Sequence, residues 1–134
     1  MQIELIIALS LHVLSSVFWA GSSFTLARTG GAGGEQLFGP QMGAATIAIL
    51  SGAYLGHLVH GGAFGASERI LAAGALCALI AVAVQAVIGG RAVSGLRNGT
   101  ADAFRARSRV ATAQRVAAAL LAITAVCMGA ARYA

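Results

Sequence analysis

Four long apolar runs, separated by short stretches of glycine, arginine and small polar residues, organise this chain. The first extends from about Ile3 to Leu26 and ends at Arg28 and Gly30-Gly31-Ala32-Gly33-Gly34. The second, about Gln41 to His60, opens after Pro40, a residue suited to the first helical position, and closes at Gly61-Gly62. The third, about Arg69 to Ile88, follows Ser67, which predicts an N-cap there, and stops at Gly89-Gly90. The fourth, about Val110 to Arg132, follows the longest polar stretch, Arg91 to Arg109, with helix beginning already near Asp102. Each run is close to the ~20 residues a helix needs to cross a bilayer. The pattern predicts an all-α fold, a four-transmembrane-helix bundle running up-down-up-down, with residues 1–134 forming one membrane domain.

Composition agrees with that reading. The chain is 58% hydrophobic and only 10% charged, where a soluble domain carries about a quarter charged residues. All nine basic residues are arginines, and five of them (Arg91, Arg97, Arg105, Arg107 and Arg109) lie in the third connection, with Arg28 in the first. The net charge of +5 therefore reports topology rather than nucleic-acid binding. The positive-inside rule puts the first and third connections in the cytoplasm and both termini on the outer side. The arginine-only, alanine-rich composition points to a bacterial inner (cell) membrane, crossed several times. The first run lacks a basic leader and a small-residue cleavage site, so it is expected to be a retained span. The Gly30–Gly34 run predicts a flexible connector; no preceding strand and no following Lys-Ser/Thr makes it a phosphate loop.

Candidate chemistry centres on the three histidines, His12, His57 and His60. An ionisable side chain within a span is a functional-site hypothesis by default. At helical spacing Ala8, His12, Ser15, Ser16, Trp19, Ser22 and Ser23 form one stripe, and small polar residues mark a side that faces other helices. His12 is thus expected to point inward. Counting from the outer boundary, His12 lies roughly seven residues deep and His57 roughly five, an offset of about 3 Å at ~1.5 Å per residue. His60 is about 7 to 8 Å shallower than His12. Depth makes His57 the expected partner of His12 across a flat cofactor. His60 is expected to meet a propionate, a quinone head group or water. Bundles place haem ligands on facing helices, and iron takes axial histidine readily. The alanine- and glycine-rich faces of the third and fourth spans allow either close packing or room for a porphyrin.

Haem b is therefore the first expectation, held by His12 and His57, with His60, Trp19 and Ser16 around it. Bis-histidine ligation would fit electron transfer with a quinone or a periplasmic partner. Copper is the alternative, through the three histidines with Cys127 or Met128, because imidazole and soft sulfur both suit it. A third reading is a structural subunit or homodimer within a larger membrane complex, its histidines serving only packing. Gln85 is expected to bond between helices, and Arg115 to snorkel. Cys77 and Cys127 are expected to be packing residues. The four acidic residues, Glu4, Glu35, Glu68 and Asp102, lie near span ends or in loops, which excludes a relay of paired intramembrane acids.

The first run carries Leu11-His12, then Trp19-Ala20-Gly21, then Phe24 and Arg28. The last carries Gln114-Arg115 and ends Met128-Gly129-Ala130-Ala131-Arg132-Tyr133. These stretches, about a third of the chain, resemble the first and last helices of the CopD-like membrane proteins and the related HemJ-type protoporphyrinogen oxidases. The resemblance implies a small helical membrane protein that binds haem b or handles copper, with His12 as the haem ligand of the first span. HemJ-type enzymes also use a lysine in a later span. This chain has none, which argues against porphyrinogen-oxidase activity.

Overall fold

The computed structural model describes residues 1–62, 64–100 and 102–134, and everything below refers to these. They are helical, without strands. The elements are α1 (Gln2–Arg28), α2 (Gly34–His60), α3 (Ala66–Val84), a π-helical turn (Gln85–Gly89), α4 (Gly90–Asn98) and α5 (Ala103–Ala131). With α3, the π turn and α4 continuous, four helices of 27, 27, 33 and 29 residues are long and apolar enough to cross a membrane. The chain thus has the make-up of a multi-pass membrane protein.

Helix α1 packs chiefly on α2 and α3 chiefly on α5, and contacts between α1 and α5 join the two pairs. The centre is built of small side chains. Ala45, Ala48, Ala78, Ala81 and Ala117 are buried together with Trp19 and Leu121. Alanine faces bring the backbones close, which compensates for the absent hydrophobic drive between helices in lipid. Thr124 Oγ1 donates to the carbonyl of Gly74 at 2.9 Å, and Ser67 Oγ to that of Ala131 at 2.8 Å, tying α3 to α5. Of the two uses expected for the small faces, close packing is the one this interior takes.

Several boundaries differ from the sequence expectation, each for a physical reason. Helix α2 begins at Gly34, so Pro40 lies inside it. Its missing N–H leaves the carbonyl four residues back without a helical donor. The glycine run is a packed turn instead of a flexible connector. Gly31 has φ +83°, and a side chain there would collide with the Arg107 carbonyl. Gly34 lies against Val110. Gly89-Gly90 does not end the third span. Both glycines are helical, and the bare backbone of Gly90 makes room for the ring of Phe38. The helix therefore runs on to Asn98, where Gly99 in the left-handed region (φ +65°) caps it. Ser67 is not the N-cap of α3. Gly65 is, its N–H bonded to the Glu68 carboxylate at 2.7 Å. Asp102 caps α5 through Oδ1, which accepts from the N–H of Phe104 at 3.2 Å. The first turn, the end of α4 and the start of α5 meet at one end, where Arg97 donates to the Glu35 carbonyl and Arg107 lies 4.0 Å from the Glu35 carboxylate.

Candidate functional site

His12 sits half-buried on α1, on the buried stripe of Ala8, Ser15 and Trp19. Its Nδ1 lies 2.9 Å from the main-chain carbonyl of Ala48 and 3.3 Å from Ser51 Oγ, both on α2. A carbonyl can only accept, so Nδ1 carries the proton. The serine hydroxyl is already donated to Ile47 at 2.6 Å and acts here as a second acceptor. Nδ1 is thereby the donor of this contact, and in the tautomer with a single ring proton the lone pair lies on Nε2. No hydrogen bond engages Nε2 among the described residues. Histidines that hold a metal show this arrangement, the far nitrogen anchored to a carbonyl so that the near one is aimed and basic. Gly52 permits the close approach. A Cβ on it would lie 2.9 Å from the ring carbon Cε1.

The other histidines are placed elsewhere. His57 is exposed, and no hydrogen bond joins it to His12. Rotation about the helix, not depth, decides this placement. Helix α2 turns Gln41, Ala45 and Ala48 inward, and Gly52 continues that line. His57 is five residues beyond Gly52, about 7.5 Å along the axis and about 140° around it. His60 is half-buried, with Nε2 3.9 Å from a Glu68 oxygen. It caps the far end of α2 against the start of α3. Ser16 is half-buried beside the stripe. Trp19 is buried and its N–H is committed to Gln85.

Cys127 packs against Gly74, while Met128 is exposed. Both cysteines are free thiols. Among the described residues no group of three or more His, Cys, Asp or Glu side chains converges as a metal site would require.

Sequence reasoning expected Gln85 to bond between helices, as it does, but missed the network of which it is one part. Gln41, Gln85 and Gln114, from three different helical segments, are 0%, 0% and 1% exposed. The amide of Gln85 donates to Gln114 Oε1 at 2.8 Å and to Ser23 Oγ at 2.7 Å. Gln41 and Gln114 exchange bonds of 3.1 and 2.9 Å, and Gln41 also reaches Ser22 and Ser23. Trp19 Nε1 closes the network on Gln85 Oε1 at 2.7 Å. A glutamine in each of three apolar runs, opposite the serines of the first, was the available signal, because each amide needs partners in hydrocarbon. Every buried side-chain polar atom among the described residues is satisfied. The network is a structural tie, and the π turn places Gln85 in it.

An apolar groove of about 420 Å³ runs between α1 and α2, walled by Leu11, Leu14, Ser15, Pro40, Gly43 and Ala44. Leu11 and Ser15 bracket His12 in the sequence. A search of family models, of curated proteins and of solved structures finds no match to this chain.

Proposed function

We propose that this chain is a membrane haem b protein that uses His12 Nε2 as an axial ligand. The anchored Nδ1 of His12 carries the reading, because it leaves a single tautomer with one free basic nitrogen. The alanine-packed interior is closed to a porphyrin. The groove between α1 and α2 is the apolar space these two helices leave open, and His12 borders it in sequence without lining it. His57, exposed and turned away from His12 on α2, is not the proposed second ligand; that position is left to a group from outside this pair of helices. When bound, haem supplies one-electron chemistry, which suits exchange with a quinone or a partner at the outer face. The protein's own residues contribute the fixed imidazole, the glycine that lets it approach α2, and an apolar wall.

The bundle in this proposal runs up-down-up-down in a bacterial inner membrane, with the arginine-rich end in the cytoplasm. The meeting of Gly31, Glu35, Arg97 and Arg107 at one end, and of Ser67 with Ala131, supports that path. The test is the haem content of the purified protein. Wild type is expected to yield extractable haem b, His12→Ala none, and His57→Ala as much as wild type. Haem-free wild-type protein would refute the proposal.

A second reading is favoured by the same ring's contacts. His12 tied to Ala48 and Ser51 is also a link between helices, as a structural subunit would need. In that case His12→Ala loosens α1 from α2 and changes no cofactor content.

A further inference from the structure

Arg115 lies on α5, three turns beyond its first residue and next to the buried Gln114. It is exposed on the outside of the bundle, at the level of the glutamine network. Among the described residues the ion pairs are His60–Glu68 and Arg107–Glu35, and Arg115 takes part in neither. A guanidinium within a span needs an anionic partner or a route to the interface. A route is present. A groove of about 630 Å³ runs along α5, lined by Gly30, Phe104, Arg107, Ser108, Ala111 and Arg115. Asp102 also lines it, and its Oδ1 is engaged in capping α5.

The lining changes character with depth. Arg107 and Ser108 are near the start of α5. Arg115 is eight residues further, about 12 Å along the axis. Residues 107, 111 and 115 follow one another at four-residue spacing and share a face, with the small Ala111 between the two guanidinium groups. Phe104 is 82% exposed at the mouth. Arginine binds phosphate oxygens with a rigid fork of donors, and a serine hydroxyl adds a further donor. The apolar walls and the position of Arg115 inside a span require a ligand that carries hydrocarbon with its phosphate.

We infer that this groove binds the phosphodiester head group of an anionic phospholipid, gripped by Arg115 with Arg107 and Ser108. The inference is independent of haem. Arg107 is shared between this site and Glu35, so Arg115 is the decisive residue. Zwitterionic lipid carries its own ammonium and competes poorly for unpaired arginine.

The test uses the full chain purified from vesicles of phosphatidylglycerol and phosphatidylcholine, with retained lipid counted by native mass spectrometry. Wild type is expected to retain phosphatidylglycerol preferentially. Arg115→Gln, an exposed substitution, is expected to weaken that retention about tenfold, as loss of a charge-assisted contact would. Arg105→Gln, which removes the same charge outside the groove, is expected to leave it unchanged. Equal retention of both lipids by wild type, or an equal loss in Arg105→Gln, would overturn the inference in favour of diffuse charge. Displacement of the lipid by millimolar inorganic phosphate would overturn it in favour of a free-phosphate site.

Discussion

The indole N–H of Trp19 donates to Oε1 of Gln85 at 2.7 Å, joining α1 to the π turn that interrupts the third span. Trp19 is the one tryptophan of the chain, so its fluorescence reports directly on this contact. Gln85→Leu removes the acceptor and leaves a buried N–H. The expected result is a shifted emission maximum and a loss of about 1–3 kcal/mol, the range for an orphaned buried donor. Unchanged emission would show that the indole does not depend on Gln85.

The glutamines should behave as a unit. Gln114→Leu strips Gln41 Oε1 of its donor, although the amides of Gln41 and Gln85 keep serine partners. It is expected to cost about 1–3 kcal/mol. Replacing Gln41, Gln85 and Gln114 together leaves fewer orphaned groups than the single changes suggest. The triple variant is thus expected to lose less than the sum of the three. Unfolding in mixed micelles measures both quantities.

Gly31 tests the packed first turn. Gly31→Ala meets the Arg107 carbonyl and places a side chain at φ +83°. A loss of at least about 1–2 kcal/mol is expected from the left-handed backbone alone. Gly43→Ala, whose added Cβ would meet nothing within 4 Å, should be neutral or slightly stabilising. Thermal unfolding of the two variants separates a packed turn from a loose one.

Gly52 tests the approach of His12 to α2. Gly52→Val pushes on the ring from Cε1 and should break the Nδ1 contact with Ala48. Gly56→Ala, with open space around its Cβ, serves as control. The expected outcome is reduced haem content in the first variant and unchanged content in the second, with helicity retained in both.

Much of this fold was legible in the sequence. Hydropathy alone marked the four spans, and the stripe of Ala8, Ser15, Trp19, Ser22 and Ser23 is the buried face of α1. Gly89-Gly90 was misread because glycine between apolar residues reads as a stop. Its partner, Phe38, comes from another helix some fifty residues earlier, and no local pattern announces such a contact. The π turn is equally silent, since it depends on where Gln85 must point. The rotation of His57 was in principle readable. The spacing of Gln41, Ala45 and Ala48 defines the inner line of α2, and that line continues through the half-buried Gly52 and Leu55 rather than His57. The role of Ala48 was not readable, because a main-chain carbonyl has no signature in the sequence.

The most direct test of the His12 assignment is the reduced-minus-oxidised absorption spectrum of membranes enriched in the protein, recorded beside His12→Ala and Ser51→Ala at equal expression. Wild type and Ser51→Ala should show a b-type α band, and His12→Ala should show none. A band of equal height in His12→Ala, or no band in wild type, would contradict the account.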